Sequence, residues 1–451
     1  GYKFILPNEY LKMLRYDYFI KDPVHGYIGI TELERCIIDT LAMQRLRRVL
    51  QLPTSVYVYP GATHSRFIHS VGSMHVAGVM SSSIIERLGL YGRSDSMSLI
   101  QFIRLVLLLH DVGHGPYSHT FEEAVLYPKG LNHEIIGSRI VRENEELREC
   151  LERFGKNLSF TCDEIALAIL SRSPSEWPVL GVSGFEEDLE RSLYYILKGP
   201  FAADIIDYLI RDSYYTGAGY GSGIDWLRIA YNATPTEKGL ALGDKALDAF
   251  EHMLLARYHM FMSVYYHKTS RAIDIMIGTA LREAAEESEL KNLIMRTESY
   301  LELDDQTILF IQELRNHRHI RDLMKRKIRF AMIDEYRVPI GRNLQLVLSA
   351  LDREFLNRIL RERLPDDLRS RVFIDTPVLP LNPMLHSEDV LIRRSDGSLS
   401  SRRFDETTFG SLSQSVVLIR LYIDRDSIDR REEAIRSFRE VLKAGGLRSF
   451  Y

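Results

Sequence analysis

Three histidines and an aspartate fall within ten residues, from His110 to His119, directly after the apolar run Leu105–Leu109. The stretch reads His-Asp-Val-Gly-His-Gly-Pro-Tyr-Ser-His, so two glycines and a proline interrupt it. Imidazole and carboxylate groups beside buried leucines need polar partners, because burying an unpaired polar group is unfavourable. A metal ion satisfies several such groups at once. The pattern therefore favours a metal or phosphate site over ordinary packed side chains.

A helix can direct the adjacent His110 and Asp111 toward one point at its C-terminal end, since they differ by about 100° around its axis. One nitrogen and one oxygen donor together accept zinc, iron, manganese, cobalt or nickel. A catalytic ion usually has three or four protein ligands and open positions for water and substrate. Further candidates on predicted helices are His69 and Asp204, and from pattern alone Asp207 or Asp212 could replace Asp204.

The composition of the 451 residues, with 45% hydrophobic and 27% charged, is typical of a globular protein of two or more subdomains. A net charge of -4 excludes a global basic field for nucleic acid. Cys36, Cys150 and Cys162 lack CxxC spacing, which argues against a disulfide framework and favours a reducing compartment. No apolar run approaches the roughly 20 residues of a membrane span, and no secretory signal pattern opens the chain. We therefore expect a cytoplasmic protein that does not bind membranes.

The hydrophobic periodicity predicts a mainly α fold, a helical body followed by a smaller α+β C-terminal portion. Thr31 begins the first helix through a capping box with Glu34, and Asn132 caps another helix that starts at His133. The first helix is predicted to span 31–51. The other predicted helices span 64–88, 98–111, 161–170, 186–197, 200–215 and 246–286, and two short strands are predicted near 229–233 and 240–243. The C-terminal strands are predicted at 371–375, 390–394 and 416–423, with a closing helix at 427–442. The expected divisions are an extended N-terminal segment (1–30), a helical catalytic domain (31–290), a helical basic connector (291–330) and the α+β portion (331–451).

The order His69, His110-Asp111, Asp204 resembles the H…HD…D signature of the HD superfamily, whose members bind a divalent metal and hydrolyse phosphate esters. Eight motifs follow the order seen in one group of that superfamily: Asp22-Pro-Val-His-Gly26, Gln44-Arg-Leu-Arg47, Gln51-Leu52, Phe67-Ile-His69-Ser, His110 to His119, Asn132-His-Glu134, Asp204 to Asp212, and Tyr265-Tyr-His-Lys268. Over roughly residues 18–290, the chain is similar to the HD-domain deoxynucleoside triphosphate triphosphohydrolases. That group includes bacterial dGTPase-like enzymes and the vertebrate sterile-alpha-motif-and-HD protein.

The resemblance implies that water attacks the α-phosphorus of a dNTP and releases deoxynucleoside and intact triphosphate. It also implies one divalent transition metal (Fe, Mn, Zn, Co or Ni), with additional Mg on the triphosphate as an option. The implied metal ligands are His69, His110, Asp111 and Asp204.

The implied catalytic residues are His119, Glu122, His114 and His133. His119 with Glu122 resembles the family's histidine–carboxylate pair, in which an imidazole oriented by an acid protonates the leaving 5′ oxygen. The family usually has Asp at the position of Glu122. His114 and His133 resemble histidines that contact phosphates or assist proton transfer.

The implied substrate-binding residues are Gln51, Leu52, Arg66, Tyr208, Asp212, Arg257, Tyr265 and Lys268. Arg66 holds a phosphate in a fork, while Arg257 and Lys268 match basic residues that contact the polyphosphate. Tyr208 and Asp212 match the pair at the sugar and its 3′-hydroxyl, Tyr265 crowds C2′, and Gln51 and Leu52 line the sugar. Ile205 replaces a phosphate-contacting lysine and Tyr266 replaces a base-facing glutamine, so the base preference stays open.

Asp39, Gln44 and Arg47 match residues that recognise guanine in an activator site between subunits of the family. The resemblance thus implies activation by GTP or a dNTP, and a homo-oligomer, either a dimer or a tetramer. Lys21 and Tyr27 replace polar partners at that site, and a surface ion pair is an equal alternative for Asp39 and Arg47.

Two other functions stay open from the sequence. One is an HD phosphohydrolase for another phosphate ester, such as a nucleoside monophosphate, a cyclic nucleotide or a nucleic-acid end. The other is a non-catalytic nucleotide sensor or nucleic-acid-binding scaffold that uses the basic stretch 315–329, although such stretches are more often solvated helix faces. Tyr208, Asp212 and Tyr265 favour a dNTP, and the intact ligand set favours an enzyme.

Overall fold

The computed structural model describes residues 14–286, 288–340, 353–379, 389–403 and 415–444. Helices dominate these ranges and only small sheets accompany them, so the predicted mainly α fold with a smaller α+β portion is confirmed. Within the same ranges, no helix combines the length and apolar character needed to span a bilayer.

A hairpin of two antiparallel strands, β1 (Tyr18–Asp22) and β2 (Gly26–Ile30), opens the described part of the chain. Gly26 has φ +77°, a left-handed conformation that glycine adopts without strain, so the predicted turn is present. The N-terminal segment is thus extended from residue 18 onward, and its strands pair with each other, which the sequence did not predict. Residues 1–13 lie outside the described part.

Thr31 begins the first helix, α1 (Glu32–Ile38), through the predicted capping box. The single helix predicted to run to residue 51 is wrong. Thr40 caps a separate helix, α2 (Leu41–Arg45), because its hydroxyl accepts a hydrogen bond from the first turn.

The long helices α3 (Arg66–Arg87) and α4 (Ser94–Leu109) form the centre of the helical body. Seven shorter helices follow: α5 (His133–Glu143), α6 (Glu145–Phe154), α7 (Cys162–Leu170), α8 (Glu187–Arg191), α9 (Tyr194–Lys198), α10 (Ala203–Thr216) and α11 (Trp226–Asn232). Asn132 caps α5 and Thr161 caps α7, as predicted. The strand predicted near 229–233 is wrong, because the side chain of Asp225 caps α11 there.

Strands β3 (Ala233–Thr236) and β4 (Gly239–Gly243) lead into helix α12 (Leu247–Met260). The continuous helix predicted from 246 to 286 is interrupted by a π-helical turn, Phe261–Tyr265, before α13 (Lys268–Glu286) begins. A second π-helical turn, over 122–126, follows His119. Such turns are frequent at functional sites, and each of these two contains a predicted site residue.

The basic connector contains α14 (Ser288–Leu293), α15 (Thr297–Tyr300), α16 (Gln312–Asn316) and α17 (Arg318–Leu323). The elements after it are β5 (Phe330–Ile340), α18 (Arg353–Arg363), β6 (Val372–Asp375), β7 (Val378–Leu379), β8 (Asp389–Arg393), β9 (Leu399–Arg403), β10 (Ser415–Asp424) and α19 (Arg431–Ala444). The three predicted C-terminal strands are present, whereas β5, α18 and β9 were missed.

Two sheets organise the C-terminal portion. One has the antiparallel order β5-β10-β6, with β7 also paired to β10, and it packs against α18 and α19 through a separate apolar cluster that includes Leu356, Ile419 and Phe438. The other has the order β3-β4-β8-β9, with β4 and β8 parallel. Because β4 belongs to the helical body, this second sheet joins the two portions.

Cys36 on α1 and Cys150 on α6 form a disulfide, with their Cα atoms 5.7 Å apart. The sequence argued against a disulfide framework, and it did not predict this single bond. The two residues are 114 positions apart, and the sequence carries no local signal that α1 and α6 pack together. Cys162 is a free thiol.

Candidate metal and phosphate site

Three of the predicted metal ligands, His69, His110 and Asp111, place their ligand atoms within 4.8 Å of one another. His69 Nε2 lies 3.7 Å from Asp111 Oδ2, and His110 Nε2 lies 3.3 Å from Asp111 Oδ1. The first turn of α3 supplies His69, and the end of α4 supplies the adjacent pair. This spacing of nitrogen and oxygen donors suits one divalent cation.

Hydrogen bonds on the far side of both imidazoles orient them toward that point. His110 Nδ1 donates to the carbonyl of Leu107 at 2.6 Å, and His69 Nδ1 donates to Asp207 Oδ2 at 2.8 Å. Each ring therefore keeps its Nε2 lone pair for a cation, which is the usual way that ligating histidines are held.

Asp204, on the first turn of α10, has a buried Oδ1 without a hydrogen-bond partner in the described structure. Burial and the nearby Asp111 raise the pKa of Asp204, although His110 and His69 oppose the shift. An orphaned carboxylate beside two imidazoles fits a fourth metal ligand. Asp207 and Asp212, the alternatives that the sequence left open, already accept hydrogen bonds from side chains.

A buried ring of four side chains orients His69 on the side away from the metal cluster. None of the four was predicted to have this role from the sequence. Asp207 accepts hydrogen bonds from His25 Nε2 at 2.7 Å and from Arg211 Nη2 at 2.8 Å. Arg211 also donates to Asp22 at 2.8 Å, and Asp22 accepts from the backbone amide of His25 at 2.8 Å. The motifs Asp22 to Gly26 and Asp204 to Asp212 contain all four residues, so the signal was present.

The carboxylate of Asp207 is kept charged despite its burial. Burial raises its pKa, but Arg211, His25 and His69 together lower that pKa well below the usual value. Helix α3 approaches closely because Gly72 faces this carboxylate: an added Cβ would lie 1.9 Å from Asp207 Oδ1. A glycine at this position is therefore required by packing.

Arg66 contacts the metal cluster directly. Its Nη1 lies 2.5 Å from Asp111 Oδ2, and its Nε donates to Ser118 Oγ at 2.8 Å. Burial raises the pKa of Asp111, but His110, Arg66 and His114 lower it well below the usual range. The guanidinium thus stands where a phosphate bound to the cluster would meet it.

The turn between the cluster and His119 has strained backbone. Tyr117 and Ser118 have φ of 57° and 52°, values that non-glycine residues rarely adopt. Asp305 fixes the turn by accepting from the amides of Tyr117 at 2.7 Å and Leu50 at 2.9 Å. Ser118 Oγ also donates to the carbonyl of Leu50 at 2.9 Å. These bonds hold His119 at a defined place beside the segment of Gln51.

Glu122 brings the catalytic candidates together. Its Oε1 accepts from His133 Nδ1 at 2.7 Å and its Oε2 accepts from His119 Nδ1 at 3.2 Å. Burial raises the pKa of Glu122, but these histidines lower it strongly, so the group is a carboxylate at neutral pH. The longer side chain at this position therefore serves two histidines. The His119 side chain is 67% exposed, whereas that of Glu122 is 2% exposed.

The rings of His114 and His133 stack with their centroids 4.0 Å apart. Burial, Arg66 and His133 lower the pKa of His114 well below its usual value. Burial also lowers the pKa of His133, but the hydrogen bond and charge of Glu122 outweigh it, so the net shift is upward. The pKa values of these two neighbouring imidazoles near Asp111 are therefore shifted in opposite directions.

The predicted sugar pocket adjoins the metal cluster. Tyr208 lies 6.5 Å from the His69 ring and 6.0 Å from the Tyr265 ring, centroid to centroid. Tyr265 donates its hydroxyl to Asp212 Oδ2 at 2.8 Å, and His64 Nε2 donates to Asp212 Oδ1 at 2.6 Å. His64, like the buried ring behind His69, was not predicted from the sequence.

Arg257 and Gln51 carry buried polar atoms that lack a partner within the described ranges: Nε and Nη1 of the arginine and Oε1 of the glutamine. The charge of Arg257 acts on the pKa of both Tyr208 and Tyr265, so it lies close to the pocket. The unsatisfied donors of Arg257 fit an anionic ligand at this place, whereas Gln51 Oε1 is an acceptor. Lys268 is exposed at the start of α13, and among the described residues no side-chain hydrogen bond or ion pair links it to the site.

A cavity of about 1590 Å³ opens beside these groups. The predicted residues that line it are Gln51, Leu52, Arg66, His119, Tyr208, Asp212 and Tyr265. The cavity thus gathers substrate-binding candidates from segments across the helical body.

The three predicted activator residues lie on the surface near α1 and α2. Arg47 Nε donates to Gln44 Oε1 at 2.8 Å, and its guanidinium lies 3.7 Å from the ring centroid of Phe67. Asp39 Oδ2 lies 3.9 Å from Arg35 Nε. The surface pair expected as the alternative is therefore made with Arg35, and nucleotide recognition stays a prediction.

Two family descriptions match this chain: the HD domain over residues 66–181 and the HD associated region over residues 224–331. An uncharacterized protein of Methanocaldococcus jannaschii is 30% identical over 429 residues, covering 93% of this chain and 81% of that protein. The deoxynucleoside triphosphate triphosphohydrolase SAMHD1 of Gallus gallus is 30% identical over 287 residues, covering 58% of this chain and 45% of that protein. The chain thus spans about half the length of that triphosphohydrolase.

Two solved structures share the fold at 24% sequence identity. A hypothetical protein from Aquifex aeolicus superposes with a TM-score of 0.68, covering 93% of this chain and 99% of that one. A phosphohydrolase from Bacteroides thetaiotaomicron gives a TM-score of 0.65, with coverages of 90% and 100%. The fold described above therefore extends over nearly the whole of both chains.

Proposed function

This chain belongs to the HD-domain phosphohydrolase family, and we propose that it hydrolyses dNTPs to deoxynucleoside and triphosphate. The observation that carries the proposal is the contact between two sites. A nitrogen–oxygen metal cluster and a pocket of Tyr208, Asp212 and Tyr265 meet at His69. A nucleotide needs a metal cluster for its phosphate directly beside a pocket for its sugar, and the rings of His69 and Tyr208 lie 6.5 Å apart.

His69, His110, Asp111 and Asp204 would hold the cation, and their donor set fits iron, manganese, zinc, cobalt or nickel. When bound, a divalent cation supplies positive charge that stabilises the negative charge developing on the α-phosphate. The orphaned Oδ1 of Asp204 and the oriented imidazoles support this assignment.

The proposed reaction forms one bond and breaks one. The oxygen of water bonds to the α-phosphorus, and the bond between that phosphorus and O5′ breaks. O5′ leaves with a proton as the deoxynucleoside hydroxyl, and the new oxygen remains on the triphosphate. His119 can supply the proton, because Glu122 orients the imidazole through Nδ1 and His119 lines the cavity.

Charged and neutral donors would hold the polyphosphate. Arg66 already places its guanidinium beside Asp111 and can receive a phosphate in a fork. His133 and His114, whose rings stack beside Asp111, would contact the phosphates or assist proton transfer. The unpartnered donors of Arg257 support a further phosphate contact, and Lys268 and additional Mg would act farther along the chain of phosphates.

The sugar would lie between Tyr208 and Tyr265. Asp212 accepts bonds from Tyr265 and His64, and its remaining lone pairs can accept the 3′-hydroxyl. Tyr265 would crowd a 2′-hydroxyl and so favour a deoxyribose. Nucleotide activation at Asp39, Gln44 and Arg47, a dimer or tetramer and a cytoplasmic location belong to the same proposal.

The test is to incubate the purified protein with Mn²⁺ or Mg²⁺ and each dNTP, singly and mixed, and to identify the products. We expect intact triphosphate and deoxynucleoside. Pyrophosphate, or activity on nucleoside monophosphates alone, contradicts the proposal and favours hydrolysis of another nucleotide phosphate ester.

Asp111→Ala should remove bound metal and turnover together while the helical circular dichroism persists. The metal content is measured by elemental analysis of the purified variant. Asp163→Ala, which changes an aspartate that is 73% exposed on α7, is the matched control and should retain both. Turnover in Asp111→Ala would show that the assigned cluster does not carry the reaction.

A further inference from the structure

The cavity beside the metal cluster continues beyond the residues assigned so far. Its volume of about 1590 Å³ exceeds the roughly 300–1000 Å³ that suits one small ligand. Arginines of two helices line the part that the proposed substrate leaves free: Arg271 and Arg282 on α13, and Arg353, Arg358 and Arg361 on α18. We call these five residues the arginine wall.

Asp375 on β6 neutralises part of the arginine wall and joins its two helices. Arg271 Nη2 lies 2.9 Å from Asp375 Oδ1, and Arg353 Nη1 lies 3.8 Å from the same oxygen. Arg271 also lies 3.5 Å from Asp274. These contacts fix α18 of the C-terminal portion against α13 of the helical body.

The other three residues of the arginine wall are not neutralised in this way. Within the described ranges, no carboxylate lies at ion-pair distance from Arg282, Arg358 or Arg361. Arg358 and Arg361 are three residues apart on α18, so they share a face of that helix. Phe355, 42% exposed, lies next to them, with its ring centroid 5.4 Å from the Arg358 guanidinium.

We propose that the arginine wall binds a second ligand, a linear chain of three phosphates, beside the substrate. Arg358 and Arg361 can contact successive phosphates from one helix while Arg282 lines the same cavity from the other. Planar guanidinium groups without carboxylate partners suit phosphate oxygens. The chain can come from a second nucleoside triphosphate, whose base would lie on Phe355, or from free triphosphate. This gives the C-terminal portion a part in ligand binding, and it does not depend on catalysis.

The probe is inorganic tripolyphosphate, titrated calorimetrically into the full chain at about 0.15 M salt, where exposed charges are partly screened. We expect two binding events, one at the reaction site and one at the arginine wall. The double variant Arg358→Gln/Arg361→Gln should lose one event, or weaken it at least about tenfold, and Arg66→Gln should lose the other. Arg358 and Arg361 are both exposed, so the fold should persist in the double variant.

Arg363→Gln is the matched control, because Arg363 is exposed on the same helix and donates to the Ile359 carbonyl of that helix. It should leave both events intact. A parent protein with one event, lost in Arg66→Gln and unchanged in the double variant, overturns the proposal. Binding of an oligonucleotide at the wall without binding of tripolyphosphate overturns it as well.

The source of the phosphates is distinguished by comparing dATP with tripolyphosphate on Phe355→Ala. If the ligand is a second nucleotide, Phe355→Ala should weaken the binding of dATP at the arginine wall and leave the binding of tripolyphosphate unchanged. If the ligand is free triphosphate, the variant should leave the binding of both compounds unchanged. Absence of dNTP hydrolysis with an intact second event would contradict the proposed function alone.

Discussion

Asp207 illustrates how a metal ligand is held by residues that never touch the metal. Its carboxylate is completely buried and accepts hydrogen bonds from His25, His69 and Arg211. Burying a charge is costly, and the guanidinium of Arg211 offsets that cost. Asp22 completes the ring, so the hairpin turn, α10 and α3 are fixed relative to one another at the back of His69.

Asp207→Asn should weaken metal binding by roughly 10–100-fold while the protein stays folded. Asparagine keeps only one acceptor oxygen for the donors of His25, His69 and Arg211, and its NH₂ faces one of these donors. The ring that holds the His69 imidazole with Nε2 toward the cation is therefore weakened. The measurement is a titration of Mn²⁺ into the metal-free full chain.

Asp304→Asn is the control for that experiment, because it also removes a buried carboxylate from an arginine partner, Arg48. It should leave the metal affinity unchanged. Equal affinity in the Asp207 variant and the parent would mean that the buried ring has no part in the site.

The sequence predicted individual site residues where a motif contains them. His69, His110 and Asp111 are brought together as expected. The adjacency of His110 and Asp111 directly after α4 predicted that pair, and the resemblance assigned His69 to the same site. The pattern alone left Asp204, Asp207 and Asp212 open, and the resemblance implied Asp204. The structure supports Asp204, because the other two carboxylates already accept hydrogen bonds from side chains. His25 and His64 were missed because their partners lie 182 and 148 positions away in the chain.

At the scale of elements, the turn that follows the metal ligands stores backbone strain. Ser118 has φ 52° and ψ −120°, a combination that suits glycine. Its hydroxyl links Arg66 to the carbonyl of Leu50, and Asp305 holds the preceding residue. The strain is maintained by these contacts, and its effect is to aim His119 into the cavity.

Ser118→Gly and Ser118→Ala should invert the usual order of stability. Both variants lose the hydroxyl, so their difference reports the backbone. Glycine ordinarily costs about 0.5–1 kcal/mol relative to alanine, but relief of about 1–3 kcal/mol of strain should make the glycine variant at least as stable. Urea unfolding of the two variants measures this.

Both Ser118 variants should also turn over dNTP more slowly than the parent, because Arg66 loses an acceptor. An alanine variant more stable than the glycine variant by the ordinary amount would show that this turn is not strained.

Local patterns predicted how elements begin more reliably than how they are interrupted. The caps at Thr31, Asn132 and Thr161 are present because a cap depends on a few adjacent residues. The π-helical turn at 261–265 was missed, since it forms where Tyr265 reaches Asp212 on another helix. The spacing of apolar residues along a helix cannot predict such a contact between two helices.

On the scale of the whole molecule, two connections between distant segments were invisible to the sequence. Parallel pairing of β4 with β8 places strands from both portions in one sheet, and the register joins Leu242 to Ile392. The fold class followed from composition and periodicity, but long-range pairing depends on surfaces that exist only after folding. The disulfide between α1 and α6 is the second such connection.

Reduction of Cys36–Cys150 should lower the free energy of unfolding by about 2–5 kcal/mol, because the bond closes a loop of 114 residues and restricts the unfolded chain. The metal cluster should be unaffected, since its ligands lie on α3, on α10 and at the end of α4. Urea unfolding with and without dithiothreitol measures the first effect, and metal titration measures the second. Cys162→Ser, which changes the free thiol, should leave the effect of dithiothreitol intact. Three reactive thiols in the unreduced, denatured protein would show that the bond does not form, and the reducing compartment expected from the cysteine spacing would then stand.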